Sequence, residues 1–311
     1  MLALYISLGV VLLLAPAVFI IIFISRKIYT ILLVRETPDK WGRDCSWDNE
    51  EQREMFRIGL EWGEENAAFH KQVSVKSEGL RLVGEYYDFG GKKAVIIIPG
   101  RMETCAYSYY FAKPYKELGY NILAIDNRSH GLSEGKYNTI GLREYKDIIE
   151  WAKLLKTEFG VESVLLHGIC IGGATATYAA TDPEGKKLFD GLVTEGMYND
   201  FGIMLKYRFK ERKKPTFPFI PLIMSYIRHA AGKSAKKFCP YNMVNKLEIP
   251  IMFIYSREDV FSDPANVQKL YDKCAAKKRI CWFDKGIHSH IRINDECGYD
   301  EQVKQFVRDF V

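Results

Sequence analysis

The sequence predicts an α/β domain on a mostly parallel sheet, entered from one long apolar N-terminal helix. Short apolar runs that end in turn residues recur along the chain, at 94–98, 122–125, 164–166, 192–193, 249–255 and 280–283. Helical patterns separate most of them, around 105–118, 142–158, 171–181, 264–276 and 299–311. Strands that are apolar at every position and spaced by helices are buried on both faces, the mark of a parallel sheet covered by helices on each side. The composition permits this: 48% of the 311 residues are hydrophobic and 27% charged, which excludes a disordered chain and leaves ample material for a core.

The N-terminal run from Leu2 to Ile24 contains no charge. As a helix it is about 34 Å long at ~1.5 Å per residue, enough to cross a bilayer core of about 30 Å. A cleaved signal peptide would begin with a basic region and end at a small-residue site before polar sequence. Here Ala15-Pro16-Ala17 leads into Val-Phe-Ile-Ile-Ile-Ile, so residues 1–34 read as a retained transmembrane anchor. Arg26, Lys27 and Arg35 follow the run, and the positive-inside rule then places the rest of a single-pass membrane protein in the cytoplasm. The seven Cys agree: an odd set without a C-x-x-C pair suggests neither a disulfide framework nor a zinc site, and free thiols suit a reducing compartment.

Residues 35–70 read as a linker followed by an amphipathic leading helix between Glu50 and Phe69. Val73–Lys76 and Leu80–Phe89 flank Ser77-Glu78-Gly79 as a β-hairpin and open a domain over 71–311. The interval 197–247 breaks the strand–helix rhythm and reads as a cap insertion. Between Lys206 and Lys237 it carries ten Lys or Arg against one acid, Glu211, with aromatic residues interleaved. Such a cap either rests on anionic lipid headgroups, receives an anionic substrate, or is simply a solvated basic surface. Net charge over the whole chain is only +5 and no nucleic-acid-binding motif is present, so a nucleic-acid partner is not expected.

Gly168-Ile169-Cys170-Ile171-Gly172-Gly173 stands where a strand gives way to a helix. A sharp turn there holds its central residue in strained backbone geometry, and the flanking glycines leave room for it. The Cys170 side chain is thereby presented at the C-terminal edge of the sheet, where the positive end of the helix dipole favours an anionic thiolate. The N–H of Ile171 is free to bind an oxyanion.

With this elbow, Pro99-Gly100-Arg101-Met102-Glu103 and Asp126-Asn127-Arg128-Ser129-His130-Gly131-Leu132-Ser133, the chain resembles the α/β-hydrolase superfamily over most of residues 72–311. The monoacylglycerol-lipase or lysophospholipase-like bacterial members are nearest in motif. They carry Ser at the elbow, whereas Cys170 is similar to dienelactone hydrolases and bile-acid-CoA amino-acid acyltransferases. The resemblance implies an α/β-hydrolase fold with nucleophile, acid and histidine in that chain order. It selects Asp259 from Ser256-Arg257-Glu258-Asp259 as the acid, with Glu258 a solvated neighbour and Glu195 the alternative on the preceding strand. It selects His288 from Gly286-Ile287-His288 as general base, with His290 the alternative. The oxyanion hole then consists of the Arg101 and Ile171 N–H groups, and the Arg101 side chain either reaches an anionic substrate or pairs with Glu103. His130 and His167 read as structural. No metal-ligand spacing or nucleotide loop is present, so no metal or cofactor is expected. The expected function is cleavage of an ester or thioester of a small-molecule or lipid acyl substrate through a Cys-His-Asp triad. Acyl transfer by the same triad, or a non-catalytic binding role, are the alternatives.

Overall fold

The computed structural model describes residues 2–44 and 49–311. The apolar runs become eight strands, β1 (His70–Ser77), β2 (Leu80–Tyr87), β3 (Lys93–Ile98), β4 (Tyr120–Ile125), β5 (Ser163–Ile169), β6 (Gly191–Glu195), β7 (Ile251–Ser256) and β8 (Lys278–Phe283). They form one sheet in the order β1-β2-β4-β3-β5-β6-β7-β8. The hairpin β1–β2 is antiparallel with Ser77 opposite Leu80, and β2 is antiparallel to β4; every later pairing is parallel. Because β3 lies between β4 and β5, the loops that leave β3 and β5 diverge to opposite sides. The crevice this creates at the C-terminal edge of a parallel sheet is where such folds bind ligands.

The period of two along each strand divides the core. Ala94, Ile96 and Ile98 of β3 face one apolar layer, whereas Val95 and Ile97 face the other. Helices cover both sides: α1 (Leu2–Leu33), α2 (Glu50–Glu65), α3 (Cys105–Ser108), α4 (Lys113–Glu117), α5 (Glu144–Glu158), α6 (Ile171–Thr181), α7 (Phe201–Glu211), α8 (Phe219–Ala231), α9 (Pro240–Met243), α10 (Pro264–Lys273), α11 (Ile291–Asn294) and α12 (Glu296–Phe310). The pattern expected as one helix over 105–118 is broken into α3, a 3₁₀ turn at Tyr109–Phe111 and α4. Pro114 explains the break, since proline fits the first turn of a helix but not its interior.

Within α1, Ala15–Leu33 is long and apolar enough to cross a membrane, and only 17% of that stretch is buried inside the fold, unlike a core helix. The helix continues past the exposed Arg26 and Lys27, and its last turns enter the domain, where Tyr29, Leu33 and Val34 join the core. The segment read as a linker is packed as well. Arg35 donates its backbone N–H to the Lys136 carbonyl at 2.8 Å and its guanidinium to the Gly131 carbonyl at 3.0 Å. Trp41 stacks on His130 at 4.6 Å, and Arg43 bridges Asp126 and Glu85. Of the seven Cys, Cys45 lies outside the described residues and the other six are free thiols.

The insertion 197–247 is helical. Ile220, Ile223, Ile227 and Ala231 recur at three- and four-residue spacing on α8 and are buried. This helix lies against α1, with the Tyr29 and Tyr226 rings 5.5 Å apart.

Candidate active site

Cys170 occupies the turn between β5 and α6 with φ +53° and ψ −111°. For a residue with a Cβ this is a sparsely populated conformation that costs on the order of 1–3 kcal/mol and persists only where the surroundings enforce it. They do so here. The Cys170 N–H donates to the Glu195 carbonyl at 2.8 Å, and its own carbonyl accepts from Gly173 at 3.1 Å. A Cβ on Gly172 would lie 2.2 Å from the Ile98 carbonyl oxygen, and one on Gly168 would lie 2.4 Å from the Gly172 backbone. Only glycine at both positions lets α6 start this close to the end of β3.

The loops after β7 and β8 bring Asp259 and His288 together. His288 Nδ1 donates to Asp259 Oδ2 at 2.8 Å. The same oxygen accepts from Ser262 Oγ at 2.7 Å, and Oδ1 accepts from the Phe261 N–H at 2.8 Å. Burial acts to raise the Asp259 pKa, but the His288 charge and these hydrogen bonds outweigh it and hold the carboxylate ionised. His288 Nε2 is buried without a well-formed hydrogen bond, while the ring interacts electrostatically with Cys170. Burial alone would lower the imidazole pKa; the charges of Cys170 and Asp259 reverse this and hold it well above the ordinary histidine range.

Gly100 packs beside the elbow: a Cβ there would be 3.7 Å from that of Cys170. Among the described residues neither the Arg101 nor the Ile171 N–H has a hydrogen-bond partner. The loop that carries Arg101 is held from two sides. Glu103 accepts the Gly100 N–H at 2.8 Å, and His130 Nε2 accepts the Met102 N–H at 3.3 Å. Burial pushes His130 down to about 4, which keeps it neutral and able to accept. The expected Arg101–Glu103 pair is not formed, because Glu103 turns back onto its own loop. Arg101 instead donates to the Leu32 carbonyl at 3.4 Å.

The alternatives point elsewhere. Glu195 accepts from Tyr299 Oη at 2.7 Å, and Tyr299 in turn meets His167, whose other nitrogen meets Tyr115. Burial raises Glu195 to about 7 and lowers His167 to about 3. His290 Nδ1 lies 2.8 Å from Glu51 on α2, and Glu258 accepts the Gly286 N–H at 3.0 Å. Gly196 escaped the sequence reading. Its φ is +60°, and a Cβ would stand 3.0 Å from His288 Cε1. A glycine directly after a strand end was the available signal. Cys170 and His288 open into a cavity of about 950 Å³, walled by α1, α7 and the loops after β3, β7 and β8. Among the described residues no group of three or more His, Cys, Asp or Glu is placed to hold a metal ion.

The sheet order, the elbow and the loops at its C-terminal edge are those of the α/β-hydrolase fold. The family model described as serine aminopeptidase, S33, matches residues 91–198, which include the elbow. The chain is similar to the uncharacterized protein YqkD of Bacillus subtilis (strain 168), at 25% identity over 92% of this chain and 89% of that protein. It is also similar to the uncharacterized membrane protein YNL320W of Saccharomyces cerevisiae, at 25% identity over 62% of each. Among solved structures, the Pyrococcus furiosus esterase Pf2001 superposes with a TM-score of 0.66 at 21% identity, covering 80% of this chain and 94% of that one. An α/β-hydrolase from Vibrio vulnificus superposes with a TM-score of 0.63 at 16% identity, covering 91% and 93%.

Proposed function

We propose that this chain hydrolyses a carboxylic ester or thioester through Cys170, His288 and Asp259. One observation carries the reading: Asp259 binds His288 Nδ1, and the same imidazole interacts with the elbow cysteine. His288 Nε2 first takes the Cys170 thiol proton to give a thiolate–imidazolium pair, the thiolate sulfur then attacks the acyl carbonyl carbon, and the Arg101 and Ile171 N–H groups receive the oxyanion. Collapse breaks the bond to the leaving group, which takes the proton from His288. Water, deprotonated by the same imidazole, then attacks the thioester carbonyl and releases the acid. Asp259 fixes the tautomer and stabilises the imidazolium. The esterase described for the similar Pyrococcus fold agrees with this chemistry.

The test is intact-mass labelling with an acyl-like electrophile at neutral pH, followed by peptide mapping. Cys170 should label first, and Cys170→Ala or His288→Ala should abolish ester turnover with the fold retained. First labelling at another Cys, or full turnover in Cys170→Ala, overturns the mechanism.

On the same reading α1 is a single-pass anchor with the domain in the cytoplasm, supported by the basic residues at its C-terminal side and by the yeast relative described as a membrane protein. The basic cap then meets anionic headgroups, at about 1 kcal/mol per Lys or Arg near the surface. In a chain lacking the spanning part of α1, replacing Arg212, Lys213 and Lys214 with Gln should weaken salt-sensitive binding to acidic vesicles. External protease access beyond residue 40 in intact cells, or vesicle binding indifferent to salt, contradicts this placement.

A further inference from the structure

We infer that α1 is a wall of the catalytic cavity as well as an anchor, and that the substrate is a long-chain acyl ester or thioester whose chain lies along this helix and enters from the bilayer. The ester chemistry rests on the function proposed above; the path of the chain rests on the cavity. Ile24, Ile28 and Leu32 recur every four residues on one helix face, and all three line the cavity that holds Cys170 and His288. Together they give ~12 Å of continuous apolar wall at ~1.5 Å per residue.

The position of this wall relative to the membrane follows from charge. The apolar run ends at Ile24, and after Ser25 come Arg26 and Lys27, both exposed. Basic residues at the end of a span sit at the headgroup level. The last residue of the apolar run is therefore also the first residue of the cavity wall, which puts the mouth at the membrane surface. Two apolar residues agree, although the charged Arg212, Lys214 and Glu258 also line the cavity and are exposed. Val260 and Ile287 line the cavity, yet are 57% and 45% exposed. An exposed apolar rim around a reactive site marks an interaction surface, and here it continues the surface of the spanning helix. At the inner end, the Leu32 carbonyl accepts from the Arg101 guanidinium at 3.4 Å, so the wall ends against the loop beside Cys170. A short soluble ester has no use for such a wall. An acyl chain in the bilayer reaches Cys170 along it without crossing water.

The experiment uses the full chain in phosphatidylcholine vesicles, a zwitterionic surface that leaves the basic cap out of play. The probes are N-hexadecyl iodoacetamide and iodoacetamide, and the readout is the alkylation rate of Cys170 by peptide mass. Filling the wall with Ile28→Trp should slow the hexadecyl reagent roughly tenfold or more, as overpacking of a tight apolar surface does, and leave iodoacetamide within about twofold. Ile31→Trp, on the exposed face, should change neither rate. Equal slowing of both reagents by Ile28→Trp is decided by Ile28→Ser, which makes the wall polar without filling it. Loss of the hexadecyl preference in that variant supports the inference; an unchanged preference overturns it. Unchanged rates in Ile28→Trp, or an equal effect from Ile31→Trp, overturn it directly. Labelling needs no turnover, so the two readings fail separately: ester hydrolysis retained in Cys170→Ala removes the proposed mechanism while a selective Ile28 effect stands.

Discussion

Glu195→Gln tests how the buried polar layer beneath the site is partitioned from the catalytic layer. Glu195 is the last residue of β6, wholly buried, and its carboxylate faces Tyr299 rather than His288. Burial holds its pKa at about 7 against an ordinary 4.5. Between those values the folded protein keeps a proton that the unfolded chain has lost, so the stability contributed by this group falls as pH rises through that window and is flat above it. The gap corresponds to on the order of 3 kcal/mol. Glutamine keeps an acceptor for Tyr299 and cannot ionise, so the variant should lack this fall. His167 and His130 are buried neutral, with pKa values lowered to about 3 and about 4, and so give the opposite slope in acid. Both are present in either protein and cancel in the difference. Chemical denaturation of detergent-solubilised full chain, from pH ~4.5 to ~8, should show Glu195→Gln gaining on the parent by roughly that amount. Turnover should be retained. Parallel stability curves would refute the burial argument, and loss of turnover at unchanged stability would move the triad acid to Glu195.

Three further outcomes follow from the geometry. Asp259→Asn should lower kcat by about 10³–10⁴ because the imidazole loses its tautomer and orientation, whereas Glu258→Gln should leave kcat within about twofold; steady-state kinetics on a soluble ester compares them. Gly196→Ala places a methyl group 3.0 Å from His288 Cε1 on a backbone with φ +60°, so kcat should fall about tenfold or more and stability by about 1 kcal/mol; equal activity at equal stability would show that the imidazole has slack. Cys170 and Asp259 hold the His288 pKa well above the ordinary range, which couples the imidazole to the thiol. Alkylation of Cys170 by iodoacetamide at pH 7, read by peptide mass, should therefore slow in His288→Ala; an unchanged rate would separate the imidazole from the thiol.

Much of this was determined by the sequence alone, because it depends on neighbours along the chain. Apolar runs at β3, β5 and β7 need burial on both faces wherever they lie. Gly168, Gly172 and Gly173 around Cys170 permit the sharp turn from β5 to α6. Asp259 and His288 were legible as candidates through the resemblance to α/β-hydrolases, whose acid and histidine follow strand ends. The different partners of His288 and His290 are set by tertiary structure. Ser289 lies between them at φ +64°, and the turn directs one ring to Asp259 and the other to Glu51, which is remote in sequence. Glu195 was excluded as partner of His288 by the face of β6 from which it projects, and Glu103 was turned from Arg101 to the Gly100 N–H by the path of its loop. The N-terminal helix shows the same division. Its length, its lack of charge and the basic residues after it are local properties of composition. That Ile24, Ile28 and Leu32 line the cavity that holds Cys170 is decided by the docking of Tyr29, Leu33 and Val34 into the core. Backbone conformation answers to nearest neighbours, but the direction of a side chain toward a distant partner depends on register and packing that exist only once the sheet is assembled.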